Sequence, residues 1–124
     1  MRSHNFRELN VWQKAMDLVV KVYKLSVDFP KEEKFGLTSQ IQRCAISIPS
    51  NIAEGCGRTS EKELMHFISI SMGSCYELET QLILANRLLY VNEIPLSSVM
   101  QELIEIQKML YGFYNSITNK VLNT

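Results

Sequence analysis

"SIPSNIAEGCGRTSEKEL", Ser47 to Leu64, interrupts a chain that otherwise repeats like helix. Pro49 falls inside an apolar period formed by Leu37, Ile41, Cys44, Ala45, Ile48 and Ile52. The helix is therefore expected to continue through Pro49 and bend there, because proline lacks a backbone donor and crowds the preceding turn. Asn51 lies off that period with Gln40, Arg43 and Ser47, on a polar edge. A stop must follow, and Glu54-Gly-Cys-Gly57 supplies it. Gly55 is expected to take the left-handed angles of a C-terminal cap, and Gly57 to permit a second tight turn. Ser60 with Glu63 reads as the S-x-x-E capping box that starts a new helix, with Leu64 opening its apolar seam. Each unusual residue has a backbone task, so the stretch reads as a corner between two helices and not as a ligand loop.

Three more helical segments surround that corner. The first runs from about Asn10, a candidate N-cap, to about Asp28, where Pro30 biases Phe29 away from helical angles. Its charges, Lys14, Asp17, Lys21, Lys24 and Asp28, recur at three- and four-residue steps and share one narrow stripe. Apolar residues fill the other faces, although one apolar stripe suffices for a surface helix. A small bundle covers one such face, so the second is expected to meet another chain, with Val20, Tyr23, Leu25 and Val27 as candidate contacts. The third segment, about Glu61 to Val91, repeats at Leu64, Ile68, Ser71, Cys75, Leu78 and Leu82, a seam of the antiparallel-bundle kind. Small residues in its middle allow neighbouring backbones to come close. The fourth, about Leu96 to Val121, repeats at Val99, Leu103, Ile106, Leu110, Phe113 and Ile117 and contains Gly112. A mid-helix glycine costs about 1 kcal/mol relative to alanine, which predicts a packing reason for Gly112. Short connections make consecutive helices antiparallel. The expectation is all-α: one domain, residues 1–124, folded as an up-down-up-down four-helix bundle.

The chain has 124 residues, 46% of them apolar and 21% charged, enough to bury one core. Thirteen basic and thirteen acidic side chains cancel, so net charge gives no argument for nucleic acid or a membrane. Their distribution is uneven: residues 1–58 carry nine Lys/Arg against six Asp/Glu (+3), and residues 59–124 four against seven (−3). No apolar run suits a signal peptide or a spanning helix. Cys44, Cys56 and Cys75 form no CxxC pair, and reduced thiols in a cytoplasmic protein are the expectation.

No residue pattern points to chemistry. His4 and His66 are the only histidines, and Glu63 with His66 makes a single E-x-x-H pair where a di-iron bundle needs two. Cys56, between two glycines, is expected near the surface but has no neighbouring base in sequence to activate it. The two glycines of "EGCGR" close a helix, whereas a phosphate loop opens one. No catalytic, cofactor or metal residues are therefore assigned, and no small-molecule substrate is evident. Arg58 is expected to pair with Glu54, and Arg43 with Glu77 or Glu79, as contacts that fix register.

"FPKEEKFGLTSQIQRCAISIPSNIAEGCGR" followed by "GSCYELETQLILA" resembles the four-helix-bundle family encoded within intervening sequences of bacterial 23S (large-subunit) ribosomal RNA genes. It is also similar to the accessory variability determinant proteins of diversity-generating retroelements. The resemblance extends from Phe6–Leu18 to Met109–Phe113 and is most specific at Gly36–Ile41, Ser47–Gly55 and Glu77–Leu82. It implies a homopentameric barrel of bundles, which agrees with the two-faced first helix, and it implies no catalysis. The function expected is that of a non-enzymatic structural or interaction module. The alternative is a nucleic-acid-binding accessory, using Lys21, Lys24, Arg43 and Arg58 on a basic face of the oligomer. Zero net charge predicts that such binding is weak and salt-sensitive, and Gln42 stands where the family often has a second arginine beside Arg43.

Overall fold

The computed structural model describes residues 5–123, so His4 of the sequence reading lies outside it. The described residues form four α-helices: α1 (Asn10–Ser26), α2 (Leu37–Cys56), α3 (Glu61–Arg87) and α4 (Glu93–Leu122). Single 3-10 turns at Phe6–Glu8 and Lys31–Glu33 precede α1 and α2, and no strand occurs among the described residues. Helix α1 packs on α2 and α4, and α3 packs on the same two. Neither diagonal pair, α1 with α3 or α2 with α4, brings Cα atoms within 8 Å. The four helices thus stand in a square, with the α1–α2 seam opposite the α3–α4 seam.

On α2, α3 and α4 the core follows the apolar periods read from the sequence, and on α1 the structure selects which apolar stripe faces inward. Leu18 and Val22 of α1, Ile41, Ile48 and Ile52 of α2, Ile68, Leu78 and Leu82 of α3, and Leu103, Ile106 and Leu110 of α4 are all buried. Where α2 meets α3 the packing is polar at its edge. Ser71 Oγ donates to the Ile48 carbonyl (2.8 Å), the Ser47 and Ser74 hydroxyls meet at 2.7 Å, and the Cys44 thiol donates to the Ser74 carbonyl at 3.1 Å. Asn51 donates to the carbonyl and hydroxyl of Ser47, at 2.8 and 3.0 Å. Small hydroxyl residues at this seam let the two backbones approach while their buried polar atoms find partners.

Helix α2 runs unbroken through Pro49, which is buried. The corner beyond it differs from the sequence expectation. No glycine has a positive φ. Gly55 is not a left-handed cap; it lies buried in the last turn of α2. A Cβ added there would stand 2.9 Å from Phe67 Cβ and 3.0 Å from Leu64 Cδ1. Its lack of a side chain serves close packing of α2 on the start of α3. Gly57 caps α2 with ordinary right-handed angles, φ −88° and ψ −1°, its N–H bonded to the Glu54 carbonyl at 3.1 Å. Cys56, expected near the surface, is buried.

Ser60 does cap α3: its Oγ accepts from the Glu63 N–H at 3.1 Å. Glu63 Oε1 completes the corner by accepting from the hydroxyls of Ser60 (3.2 Å) and Thr59 (3.1 Å). The left-handed residue among those described is elsewhere. Helix α3 ends at Arg87, short of the expected Val91, and Leu89 adopts φ 65°. The Tyr90 N–H bonds to the Ala85 carbonyl and the Leu89 N–H to the Asn86 carbonyl, both at 2.9 Å, which is the paired pattern of a Schellman stop. Helix α4 starts at Glu93, earlier than Leu96, because Pro95 falls in the first turn, where N–H groups have no helical partner. Asn10, the expected cap of α1, is its first helical residue, and α1 ends at Ser26, two residues before Asp28.

Candidate functional site

The outer surface of the bundle divides by chemistry. Along α1 the inward stripe is Val11, Ala15, Leu18, Val22 and Ser26. A second stripe, Met16, Val20, Tyr23 and Val27, is spaced 4, 3 and 4 and points outward, with Val20 53% exposed. Leu25, the fourth candidate contact, leaves this stripe: it is half-buried against the core on the side of α4. Trp12 and Val19, also half-buried, connect the stripe to α2. There Ile46, Pro49, Ser50 and Ala53, with Phe6 from the segment before α1, close an almost wholly apolar cleft of about 350 Å³. Phe6 and Trp12 meet edge to face at 5.2 Å between centroids and form its wall. Pro49, itself buried, thereby lines this cleft as well as holding its place in the α2 backbone.

The α1–α4 seam is ionic. Lys14 Nζ lies 2.9 Å from Glu105 Oε1, and Lys21 pairs with Glu102. The hydrogen bond from Lys14 to Glu105 and the charge of that carboxylate raise the Lys14 pKa above its usual value. Lys24 lines a groove at the end of this seam with Asp28, Leu89 and Tyr90. The α2–α3 seam carries a second polar groove, where Arg43 and Glu77 stand with Gln40, Ser47 and Gln81. Arg43 does not make the expected ion pair with Glu77 or Glu79. Glu79 turns to the other side of α3 and accepts from Gln107 Nε2 at 2.8 Å. Arg58 does pair with Glu54 at 2.6 Å, and its guanidinium covers the Phe67 ring at 4.6 Å.

The four basic residues named from sequence are therefore not gathered. Lys21 and Lys24 lie by the α1–α4 seam, Arg43 lies by the opposite α2–α3 seam, and Arg58 stays at the corner. Two of the four, Lys21 and Arg58, already hold a carboxylate.

Burial pushes the Cys44 and Cys56 thiols up to about 11 and Cys75 to about 12, so all three stay protonated near neutral pH. Among the described residues no three His, Cys, Asp or Glu side chains converge on a point that could hold a metal. His66 sits edge-on to Phe67, 5.4 Å between centroids. No described helix is long and apolar enough to cross a membrane.

The model of the 23S rRNA-intervening sequence protein family matches residues 7–112. The chain belongs to that family. The match takes in α1, α2, α3, all three corners and most of α4. A solved structure from Bacteroides thetaiotaomicron, described as a protein of unknown function from the S23 ribosomal protein family, is similar in fold, with a TM-score of 0.76. It is 26% identical, and the alignment covers 84% of this chain and 97% of that one. No curated protein matches the chain. For this member of the 23S rRNA-intervening sequence protein family, the outer apolar stripe of α1 was legible as surplus hydrophobicity. The cleft beside it was not, because Phe6, Trp12 and Ala53 come from three separate parts of the sequence.

Proposed function

We propose that this chain is a non-enzymatic interaction module that assembles with copies of itself, and that the outer face of α1 is part of the contact. One observation carries the reading: Met16, Val20, Tyr23 and Val27 remain outside a core that is already complete. Each of the four still keeps part of its surface in water, and removing that apolar surface on association contributes about 25 cal/mol per Å², so four in one stripe act together to drive it. Contiguous exposed apolar surface of this kind marks interaction sites. Zero net charge leaves no overall repulsion between copies. Five copies is the number that the family resemblance implies. Nucleic-acid binding through Lys21, Lys24, Arg43 and Arg58 is the lesser reading, because these residues do not share a face of the protomer.

Sedimentation equilibrium at micromolar protein tests the proposal. A mass several times 14.3 kDa is expected. A monomer at all accessible concentrations overturns it.

A further inference from the structure

Gly112 shows no packing reason in the described chain, since a Cβ added there would meet no atom within 4 Å. Unmet requirements converge instead on the α2–α3 seam. The two charged seams treat their ions differently. Across α1–α4, Lys14 pairs with Glu105 and Lys21 with Glu102. Across α2–α3, Arg43 and Glu77 line one groove of about 400 Å³, yet neither side chain has a hydrogen bond or ion pair with a described residue. Arginine is the better partner for a carboxylate, because its planar fork matches both oxygens. Residue type therefore does not explain the missing pair.

The groove holds two further unmet groups. Gln81 Oε1 is enclosed there with no hydrogen-bond partner among the described residues. Buried polar atoms are nearly always bonded, and an orphan costs stability. The Ser47 and Ser74 hydroxyls share one bond, and Ser47 Oγ also accepts from Asn51. Two hydroxyl hydrogens are present and one is used between them. Whichever serine donates, one hydrogen is left over.

Spacing sorts these groups by role. Arg43 and Ser47 lie four apart on α2 and share a face, both able to donate. Glu77 and Gln81 lie four apart on α3 and both present an acceptor. One wall of the groove thus offers donors and the other acceptors. A phosphate would suit Arg43 but meet the Glu77 carboxylate, and a simple amine would suit Glu77 but meet the guanidinium. A ligand that suits both walls carries an anion and an ammonium close together. The stretches where the family resemblance is most specific all reach this groove: Gln40 comes from the first, Ser47 from the second, Glu77 and Gln81 from the third. Gln40 at the rim favours a polar side chain on the ligand.

We propose that the α2–α3 groove binds a free α-amino acid, its carboxylate on Arg43 and the spare serine hydroxyl, its ammonium between Glu77 and Gln81 Oε1. The site needs no second copy, so it stands apart from the self-assembly reading.

Titration calorimetry with L-serine, L-asparagine and L-glutamine tests it. Saturable binding of at least one is expected, with a Kd on the order of 1 mM or tighter. No saturable heat from any of the three overturns the proposal. N-acetylation removes the ammonium and methyl esterification the carboxylate, so either derivative of a binding amino acid should bind at least about tenfold more weakly. A derivative that binds as tightly as its parent would reveal a simple ion site and overturn the zwitterion. Arg43 and Glu77 are exposed, so Arg43→Gln and Glu77→Gln should keep the helical circular dichroism of the parent. Each should weaken binding at least about tenfold, and unchanged affinity in either overturns the assignment. Gln81→Met keeps the side-chain length and removes the orphan oxygen. It should weaken binding while raising the unfolding midpoint of the ligand-free protein, because an unpartnered buried acceptor is lost. A lowered midpoint would show that this glutamine serves the fold instead, and would overturn its place in the site.

Discussion

Two corners of the bundle use opposite means to reverse the chain. Between α2 and α3 the sequence places two glycines, and neither takes left-handed angles. Between α3 and α4 it places no glycine, and Leu89, 88% exposed, takes them at φ 65°. Glycine at a helix end is thus two different signals. It can supply a backbone angle, or it can remove a Cβ so that another element fits. At Gly55 the second applies: Phe67 and Leu64 occupy the space that a side chain would need.

Substitution of Gly55 is the sharpest way to break this contrast. Gly55→Ala should destabilise the protein although alanine is the better helix former, because Phe67 Cβ and Leu64 Cδ1 would have to move. Overpacking of this kind costs about 1–3 kcal/mol, more than the roughly 1 kcal/mol that helix propensity returns. Gly55→Val should cost more than Gly55→Ala. Urea unfolding at fixed protein concentration checks both, since self-association adds to apparent stability. A stabilised Gly55→Ala protein would show that the last turn of α2 has room to spare.

At the other corner the expected sign is reversed. Leu89 holds a conformation that costs an ordinary L-residue roughly 1–2 kcal/mol, and glycine adopts it freely. Leu89→Gly should therefore stabilise, by on the order of 1 kcal/mol after the greater freedom of glycine in the unfolded chain is counted. A rise in the thermal midpoint checks this. A fall would mean that the exposed leucine makes a contact worth more than its backbone strain.

Tyr90, next to Leu89, ties this corner to the one between α1 and α2. Its hydroxyl donates to Glu33 Oε2 at 2.9 Å, and Glu33 Oε1 accepts from the Leu37 N–H at 3.1 Å, at the start of α2. Those two bonds, the Leu37 N–H first, hold the Glu33 carboxyl below its usual pKa. A depressed carboxylate contributes stability that is fully present above its unfolded pKa and lost as the pH falls through the folded one. Unfolding of the parent and of Glu33→Gln should therefore be compared at neutral pH and at pH below the ordinary carboxylate range. The difference between them should shrink in acid, and a constant difference would remove Glu33 from the acid response.

These corners also separate what the sequence could convey from what it could not. Apolar periods of 3 and 4 on α2, α3 and α4 place Ile48, Leu78 and Ile106 inward without knowledge of any neighbour, so the bundle and most of its core were legible, whereas the period left open which apolar stripe of α1 faces inward. Glu54 with Arg58 and Ser60 with Glu63 were legible too, because each pair is closed within about one helical turn. Arg43 was misassigned because its partner had to be chosen across the α2–α3 seam, where the facing direction of Glu77 and Glu79 depends on packing. The role of Gly55 was hidden for the same reason: its neighbours Leu64 and Phe67 follow the corner. Leu89 gave no signal at all, since nothing in the residue type announces a positive φ. For the candidate contact, period alone revealed that α1 had one apolar face too many. It did not reveal that Leu25 belongs to the inner side.

Gly57 carries the smallest expected effect and the cleanest discrimination between the two uses of glycine. It caps α2 at φ −88°, which any residue can adopt, and an added Cβ would have only the Glu54 carbonyl oxygen near it, at 3.5 Å. That distance is an ordinary contact, so neither argument for glycine applies. Gly57→Ala should then change stability by no more than about 0.5 kcal/mol, the range of a surface substitution away from special features. Its sign should lean towards stabilisation, because alanine narrows the unfolded ensemble at an angle that it can keep. Measured beside Gly55→Ala, two residues earlier, the pair holds residue type and chemistry fixed and varies only the space around the Cβ. Equal losses in the two variants would mean that the corner needs glycine for its backbone after all, and that close packing against Phe67 and Leu64 is not what distinguishes Gly55.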